Sequence, residues 1–322
     1  MAIAPIRFEN TAVGRRIFLV LHLAGFLAHS SGIIFAAFVA GNINATIPLY
    51  AVRISTGAEG RVDAHVVHAG ELYVVWLVFA WFGCSLLFHL TVLVSWAMGS
   101  VDWYFCGLER NVGWWRWLEY TFSASIMLLA ATAMLGTREV RVVVSSTLFI
   151  AVTMAFGYAT ELVSTHRIDR RVSHASVRLF WRNFSLDDRW VLGSLRERMM
   201  FHVFGYVPFV AAWWLAFDSL YSANSAWVDS GVMPANATDS LWAGFALFTA
   251  FGFVQLALQL LPFGPSVYWL GEVAYCVLSV VAKFTMAMLM LFIGLTPDAL
   301  AAARAVEVCL LSRGDDGASV CS

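Results

Sequence analysis

Seven apolar segments, each long enough to cross a lipid bilayer, constrain this chain more than any other feature of its sequence. A transmembrane helix needs about 20 mostly apolar residues, because each residue adds about 1.5 Å along the helix axis. Hydrophobic residues make up 60% and charged residues 13% of the 322 positions, and the mean hydropathy is +0.74, values typical of a polytopic membrane protein. The sequence therefore predicts an all-α membrane protein, a seven-transmembrane-helix bundle. The segments are residues 16–41, 68–98, 108–136, 141–164, 199–221, 239–261 and 266–295.

Two connections between the segments are long enough to carry structure of their own. Residues 41–67 contain short alternating runs such as IPLYAVRIS, a pattern that predicts a small β-hairpin. Residues 166–198 are strongly basic, which is typical either of an amphipathic segment on the membrane surface or of a solvated charge run that only fixes topology. We therefore divide the chain into a seven-helix domain, residues 1–295, and a C-terminal tail, residues 296–322.

The distribution of arginine predicts how the chain is oriented in the membrane. The loops on the side of the N-terminus carry 13 arginines, and those on the opposite side carry six. Because basic residues accumulate in cytoplasmic loops, we expect a multi-pass membrane protein with a cytoplasmic N-terminus. The predicted hairpin and the C-terminus are then extracellular.

Charge and cysteine usage exclude several classes of protein. A net charge of −1 makes nucleic acid an unsuitable partner. The five cysteines are odd in number, and Cys84, Cys106 and Cys276 lie in or beside apolar segments, so they do not form a disulfide framework. Their spacing fits no zinc site, and we predict no metal.

The chain contains a single lysine, Lys283, in the middle of the apolar segment AYCVLSVVAKFTMAMLMLFIG. A charge at bilayer depth costs at least ~2.5–3.5 kcal/mol. Every other basic position is arginine, which stays charged, whereas lysine can become neutral and attack a carbonyl to form a Schiff base. Snorkelling to the interface is the alternative, but apolar residues extend far on both sides. Covalent or ligand chemistry is therefore the favoured interpretation.

Glu119 is the best candidate for the anion that accompanies Lys283. It lies in the third segment, and counting residues from the same membrane side places the two side chains within about 9 Å in depth, at ~1.5 Å per residue. The alternative is a local pair with Arg116, three residues earlier on the same helical face. One acid and one lysine inside a single bundle favour the longer-range pair.

Other polar residues in the segments fall near these two charges. Ser279 precedes Lys283 by four residues and Ser123 follows Glu119 by four, so each shares a helical face with its charged neighbour; back-bonding to the helix is the alternative role for each hydroxyl. His22 and His89 fall in the cytoplasmic halves of their segments, where each is either a hydrogen-bonded core residue or a proton acceptor. Glu272 also lies in the cytoplasmic half of its segment, the seventh.

Two longer motifs resemble a known family of retinal proteins. The motif RWLEYTFSASIM in the third segment and the motif GEVAYCVLSVVAKF in the seventh closely resemble those of the heliorhodopsins, seven-helix proteins with this inverted topology. The resemblance runs over all seven segments, and shorter matches are LHL, FHL and FVQLALQ in the first, second and sixth. It implies a homodimeric photoreceptor, not an enzyme, with all-trans retinal as its cofactor.

The resemblance also implies roles for individual residues. Lys283 would bind all-trans retinal as a protonated Schiff base, Glu119 would be its counterion, and Ser279 and Ser123 would hydrogen-bond around it. The residues of the cytoplasmic polar cavity, which accepts a proton after photoisomerisation, would be His22, His89, Arg116 and Glu272. The residues that line the retinal pocket would be Met127, Met154, Phe209, Phe248 and Phe251.

Two functions remain open on this basis. The first is a light sensor whose slow photocycle gives a conformational signal, with residues 166–198 contacting lipid or a cytoplasmic signalling partner. The second is a light-gated ion channel, for protons above all. A pump is disfavoured, because residues 120–135 and 284–297 contain no Asp, Glu, His, Lys or Arg and the outer half-path lacks a relay. A receptor for a ligand other than retinal ranks third.

Overall fold

A computed structural model of the protein describes most of the helical segments. The described residues are 11–40, 46–56, 62–134, 137, 139–167, 190–192, 194–230, 237–260 and 264–290. In chain order their elements are α1 (Ala12–Ala40), β1 (Thr46–Thr56), β2 (Val62–Tyr73), α2 (Val74–Ala97), α3 (Asp102–Glu109), α4 (Trp114–Met134), α5 (Val140–Ser164), β3 (Thr165–Arg167), β4 (Trp190–Leu192), α6 (Leu195–Ser230), α7 (Ala237–Leu260) and α8 (Gly264–Met288).

The long helices form a closed ring. α1 packs against α2, α2 against α4, α4 against α5, α5 against α6, α6 against α7, α7 against α8, and α8 contacts α1 again. The short helix α3, of eight residues, lies against α8. Bulky side chains such as Trp81, Trp213 and Tyr275 are fully buried inside the ring. The ring of helices therefore encloses a core of large side chains.

The outer surface of the ring is strongly apolar. Trp76, Trp214 and Phe38 expose 68%, 70% and 75% of their surface, and a contiguous apolar surface of this kind suits lipid rather than water. Six helices in the described part of the chain are long and apolar enough to cross a membrane: Ala12–Phe38, Val74–Ala97, Val140–Ser164, Leu195–Tyr221, Thr238–Leu260 and Tyr268–Met288. The prediction of an integral, multi-pass helical membrane protein is therefore confirmed.

The boundaries of the second and third predicted segments were wrong at their starts. Residues 68–73 belong to β2, and α2 begins only at Val74. Gly70 has a φ of +150° within that strand, which a helix does not allow. Residues 108–113 form the end of α3 and a turn, in which Asn111 adopts a left-handed φ of +56°. α4 therefore starts at Trp114.

α6 begins earlier than the predicted segment because of a capping box. The Ser194 hydroxyl accepts a hydrogen bond from the Glu197 backbone N–H at 3.3 Å, and the Glu197 carboxylate accepts one from the Ser194 backbone N–H at 2.7 Å. This reciprocal pair satisfies two backbone donors at the start of a helix. Arg196 and Arg198 are consequently part of α6, although the sequence assigned them to the basic connection.

The chain between α1 and α2 forms a two-stranded antiparallel sheet. β1 pairs with β2 from Thr46 opposite Tyr73 to Thr56 opposite Val62, with a register shift between Leu49 and Tyr50. The sheet thus extends beyond the predicted limit of residue 67. A second small sheet pairs β3 with β4. The basic stretch 168–189 and the tail 296–322 lie outside the described residues.

Candidate functional site

A buried ion pair occupies the centre of the bundle. Lys283 on α8 and Glu119 on α4 expose only 2% and 7% of their surface, and Lys283 Nζ lies 3.0 Å from Glu119 Oε1. The Lys283 ammonium also lies over the Tyr120 ring, 5.4 Å from its centroid, a distance that suits a cation–π interaction. The rare acid and the lone lysine are thus together, as the sequence suggested.

Two hydroxyls complete the surroundings of this pair. Lys283 Nζ donates a hydrogen bond to Ser279 Oγ at 2.6 Å, and Ser85 Oγ donates one to Glu119 Oε1 at 2.6 Å. Ser123 is buried and lines the same cavity, but its hydroxyl contacts no partner among the described residues. Ser279 therefore contacts the Lys283 ammonium, and Ser85 contacts the Glu119 carboxylate.

A cavity of about 360 Å³ opens at Lys283 between α4, α5, α7 and α8. Four of the predicted pocket residues line it: Met127, Met154, Phe248 and Phe251. The fifth, Phe209, lines an adjoining cavity of about 510 Å³ that shares Met154, Phe248 and Phe251 with the first. Four predicted residues therefore line an apolar cavity that contains a primary amine, and the fifth lines the cavity beside it.

Three histidines lie beside one another on α1 and α2, with His89 between the other two. His22 Nδ1 lies 2.9 Å from His89 Nδ1, and the His29 ring stacks on His89 with 5.4 Å between ring centroids. The His89 ring packs directly on Gly25, where an added Cβ would lie 2.4 Å from it. The glycine is therefore required for α1 and α2 to approach this closely. Sequence analysis predicted His22 and His89 but missed His29.

A buried ion cluster surrounds the Arg116 guanidinium in what we call the inner half of the bundle, the half where α4 and α8 begin. Arg116 Nη2 lies 2.5 Å from Glu161 Oε1 and donates to the Tyr268 hydroxyl at 2.9 Å. Arg116 Nη1 pairs with Glu272 Oε2. The alternative of a local Arg116–Glu119 pair was therefore wrong, because two other carboxylates lie against the guanidinium.

Tyr104 connects the ion cluster to the histidines. Its hydroxyl donates a hydrogen bond to Glu272 Oε1 at 3.0 Å, and its ring meets the edge of the His22 ring with 4.9 Å between centroids. Burial raises the pKa of the Tyr104 phenol well above its ordinary value, so the phenol stays protonated and remains a donor. Tyr104 thus lies between His22 and Glu272, and the four predicted cavity residues lie in one buried region.

Four residues of this site were missed, although each carried a sequence signal. Ser85 lies one helical turn before His89, and His29 lies two turns after His22, so both share a helical face with a predicted residue. Glu161 is an acid inside an apolar segment, which by itself suggests function. Tyr104 lies in α3, which the sequence analysis did not predict.

A comparison with protein-family models decides which family carries this geometry. The heliorhodopsin model matches residues 8–183, more than half of the chain. The chain belongs to the heliorhodopsin family. This heliorhodopsin is therefore a light-sensing retinal protein of the membrane, and its family implies a retinal chromophore. A comparison with curated proteins gave no match.

Solved structures show that the fold of this heliorhodopsin is that of a rhodopsin. The crystal structure of thermophilic rhodopsin matches with a TM-score of 0.52 at 11% sequence identity. The match covers 90% of this chain and 94% of that one. At this identity the likeness concerns the fold alone, and the roles of individual residues rest on their own geometry.

The residues at the centre of the bundle fit retinal. Retinal is an apolar polyene that ends in an aldehyde, and a primary amine can condense with an aldehyde. In this heliorhodopsin the Lys283 amine lies at the wall of an apolar cavity lined by aromatic and methionine side chains. Glu119 supplies the negative charge that a protonated nitrogen needs at that depth.

Proposed function

We propose that this heliorhodopsin is a light sensor that holds all-trans retinal on Lys283 as a protonated Schiff base, with Glu119 as the counterion. The observation that carries the proposal is the buried Lys283–Glu119 pair at 3.0 Å, at the wall of the apolar cavity. Retinal, when bound, supplies absorption of visible light and a photoisomerisation. The resulting slow photocycle ends in a conformational signal.

The residues around Lys283 determine where its proton goes. Glu119 stabilises a positive charge at Nζ, and Ser279 Oγ offers a second hydrogen-bond acceptor beside it. Any movement that turns the N–H away from Glu119 separates two buried charges, which costs several kcal/mol, on the order of 3–5. The nitrogen then releases its proton more readily.

The inner half of the bundle offers acceptors for such a proton. His22 and His89 share a short contact between ring nitrogens, and a single hydrogen bond links Tyr104 to Glu272. In the Arg116 cluster one guanidinium faces two carboxylates, Glu161 and Glu272, so its charge balance leaves room for one added proton. We propose this region as the proton acceptor of the photocycle.

A signalling role is favoured over pumping by the outer half of the bundle. The described residues of α4 after Glu119 and of α8 after Lys283 include no Asp, Glu, His, Lys or Arg. A pump needs ionisable groups on both sides of the chromophore to move a proton in one direction. A light-gated proton channel is the second candidate, because the polar inner half would serve as its entrance.

We infer that seven helices cross the membrane: the six long apolar helices described above and, in addition, α4. α4 has 21 residues, enough to span the hydrocarbon core, and it packs between α2 and α5 in the ring. Its two charged side chains, Arg116 and Glu119, are buried against partners of opposite charge. Pairing offsets the cost of placing charges at membrane depth.

Adding all-trans retinal to the purified apoprotein tests the proposed function directly. We expect a visible absorption band that grows to a one-to-one stoichiometry and bleaches or shifts reversibly under illumination. No visible band would favour a receptor for a different ligand. A photocurrent under flash illumination in a voltage-clamped cell would favour the channel, whereas a full photocycle without current would favour the sensor.

Replacing Ser85 by alanine should shift the retinal-dependent band slightly to the blue. Ser85 donates to Glu119 Oε1, so its removal concentrates the negative charge of the carboxylate near Lys283. A hydrogen bond to a charged group contributes about 1.5–3 kcal/mol, and we expect the pKa of the retinal-bound nitrogen to rise by about one unit. Absorption spectra recorded over a pH titration measure both effects.

Ser146→Ala is the matched control for this substitution. Ser146 is equally buried, but its hydroxyl bonds to the Val143 carbonyl. Its variant should leave the band and the titration unchanged. A Ser85→Ala spectrum identical with that of the unmodified protein would exclude Ser85 from the counterion site.

The orientation of the chain is tested by epitope tags on intact cells. We propose a cytoplasmic N-terminus, an extracellular β1–β2 sheet and a cytoplasmic connection between α5 and α6, on the basis of the 13 arginines against six. A tag at the C-terminus should be accessible to antibody on unpermeabilised cells, whereas a tag between Arg171 and Arg182 should need permeabilisation. The opposite labelling would reverse the topology and place the histidines on the outer side.

We also propose two partners: a second copy of the chain, which the resemblance implies, and a cytoplasmic signalling partner that contacts the basic residues 166–198. Eight arginines in that stretch would be attracted to anionic lipid by about 1 kcal/mol each. Sedimentation in detergent, at two protein concentrations, distinguishes a homodimer from a monomer.

A further inference from the structure

The cavity that begins at Lys283 adjoins a larger one. The two cavities share Met154, Phe248 and Phe251 as wall residues. The second cavity, of about 510 Å³, lies between α4, α5, α6 and α7, and Trp117 and Phe209 line it. A chromophore attached at Lys283 that filled the first cavity would therefore have its far end, the ring, next to the second cavity.

Two of the polar side chains that line the second cavity are buried. His202 on α6 and Gln255 on α7 expose 6% and 5% of their surface. Gln255 Nε2 donates a hydrogen bond to the Gly157 carbonyl at 2.7 Å. Because a carbonyl only accepts, this bond fixes the orientation of the amide and leaves Gln255 Oε1 towards His202.

The Gln255 amide in turn fixes the tautomer of His202. Gln255 Oε1 lies 3.3 Å from His202 Nδ1, and since an amide oxygen only accepts, the hydrogen of a neutral imidazole must be on Nδ1. His202 Nε2 then carries no hydrogen and can only accept a hydrogen bond. It is buried and has no hydrogen-bond partner among the described residues, an arrangement that costs free energy unless a donor satisfies it.

We infer that His202 selects a retinal whose ring bears a hydroxyl group. A hydroxyl can donate a hydrogen bond to Nε2, whereas a ketone or an ether presents only acceptors and would face the lone pair of the nitrogen. The remaining walls of the cavity are mostly aromatic and apolar, which suits a ring with one polar substituent. This inference rests on the proposed attachment of retinal to Lys283 and adds the class of chromophore.

Competition between two chromophores tests the inference. The apoprotein is incubated with all-trans-retinal and all-trans-3-hydroxyretinal, and pigment composition is measured by extraction after the visible band is complete. We expect the hydroxylated chromophore to be favoured about tenfold, the size of one good hydrogen bond to a buried group. All-trans-3-methoxyretinal, which has the same oxygen without a donor, should show no such preference.

Substitutions in the second cavity test which residue causes the preference for the hydroxylated chromophore. His202→Phe keeps a planar ring but removes the acceptor, so the tenfold preference should disappear while the band with plain retinal remains. Thr249→Val is the matched control: Thr249 lines the same cavity, but its hydroxyl already bonds to the Phe245 carbonyl, so its variant should keep the preference. Gln255→Leu removes the acceptor that holds the imidazole hydrogen on Nδ1 of His202. Nε2 can then either donate or accept, so the protein should no longer discriminate between the hydroxylated and the methoxylated chromophore.

The outcomes separate this inference from the proposed function. If no chromophore gives a visible band, the retinal proposal itself fails. If plain retinal gives the band but the protein shows no preference for the hydroxylated chromophore, the inference about His202 is wrong. The same holds if the preference persists in His202→Phe. Nε2 is then satisfied by water or left unpaired.

Discussion

Replacing Lys283 by alanine should abolish the retinal-dependent visible band completely. Lys283 is the only lysine in the chain, and its amine is buried at the wall of the apolar cavity. Alanine offers no amine for the aldehyde, so retinal can at most bind without a covalent bond and absorb at shorter wavelength. Absorption spectroscopy after incubation with excess retinal measures the loss.

Lys283→Arg separates loss of attachment from loss of charge. Arginine keeps a positive charge opposite Glu119 but does not form the imine, so its variant should also lack the visible band. Alanine leaves Glu119 buried without its cation, and breaking such a pair costs about 3–5 kcal/mol. The alanine variant should therefore unfold at a lower temperature than the arginine variant, although both are colourless.

A visible band of full intensity in either variant would contradict the attachment site. Acid denaturation in the presence of retinal then identifies whether any covalent link exists, because a protonated imine keeps its characteristic absorption when the fold is lost. The Ser146→Ala variant serves here too as a protein with an unchanged site.

The central pair was predictable because its residues are rare in their surroundings. A lone lysine and an acid in two apolar segments have few partners, so approximate depth along two helices was enough to join Lys283 with Glu119. The Arg116 pairing was harder, because Glu119 lies only three residues away, whereas Glu161 and Glu272 lie on other helices. Spacing along one helix says nothing about which helices become neighbours.

The start of α2 shows a different limit of sequence patterns. Residues 68–73, HAGELY, lead directly into the apolar run of α2, yet they extend β2 and pair with β1. A short stretch of this kind fits a strand or a helix equally well, and here pairing with β1 decides between them. The hydroxyl of Ser85 was missed for a related reason: a single serine in a helix usually bonds to its own backbone.

The pairing of His202 with Gln255 follows from the three-dimensional structure and not from the sequence. Neither residue lies on a face shared with Lys283, because they belong to α6 and α7. Their importance comes from a chain of hydrogen bonds that ends at the Gly157 carbonyl on α5. Such a chain joins three helices, and no periodicity in one helix reveals it.

Replacing Glu119 by glutamine should shift the retinal-dependent band to the red and lower the pKa of the protein-bound nitrogen. Glutamine keeps the shape of the side chain but removes the negative charge 3.0 Å from Lys283 Nζ. The lost stabilisation, about 3–5 kcal/mol, corresponds to a fall of roughly two to four pKa units at about 1.4 kcal/mol each. A lowered pKa means that the protonated, visible form is lost at a lower pH than in the unmodified protein.

Glu272→Gln is the matched control, since it removes the same charge about three helical turns from Lys283. Glu272 pairs with Arg116 and accepts from Tyr104, so its variant should leave the dark spectrum in place and change the later, proton-transfer part of the photocycle. If the Glu119→Gln spectrum and titration match those of the unmodified protein while Glu272→Gln shifts them, the counterion is Glu272. The short distance between Lys283 and Glu119 would then describe an ion pair that retinal displaces.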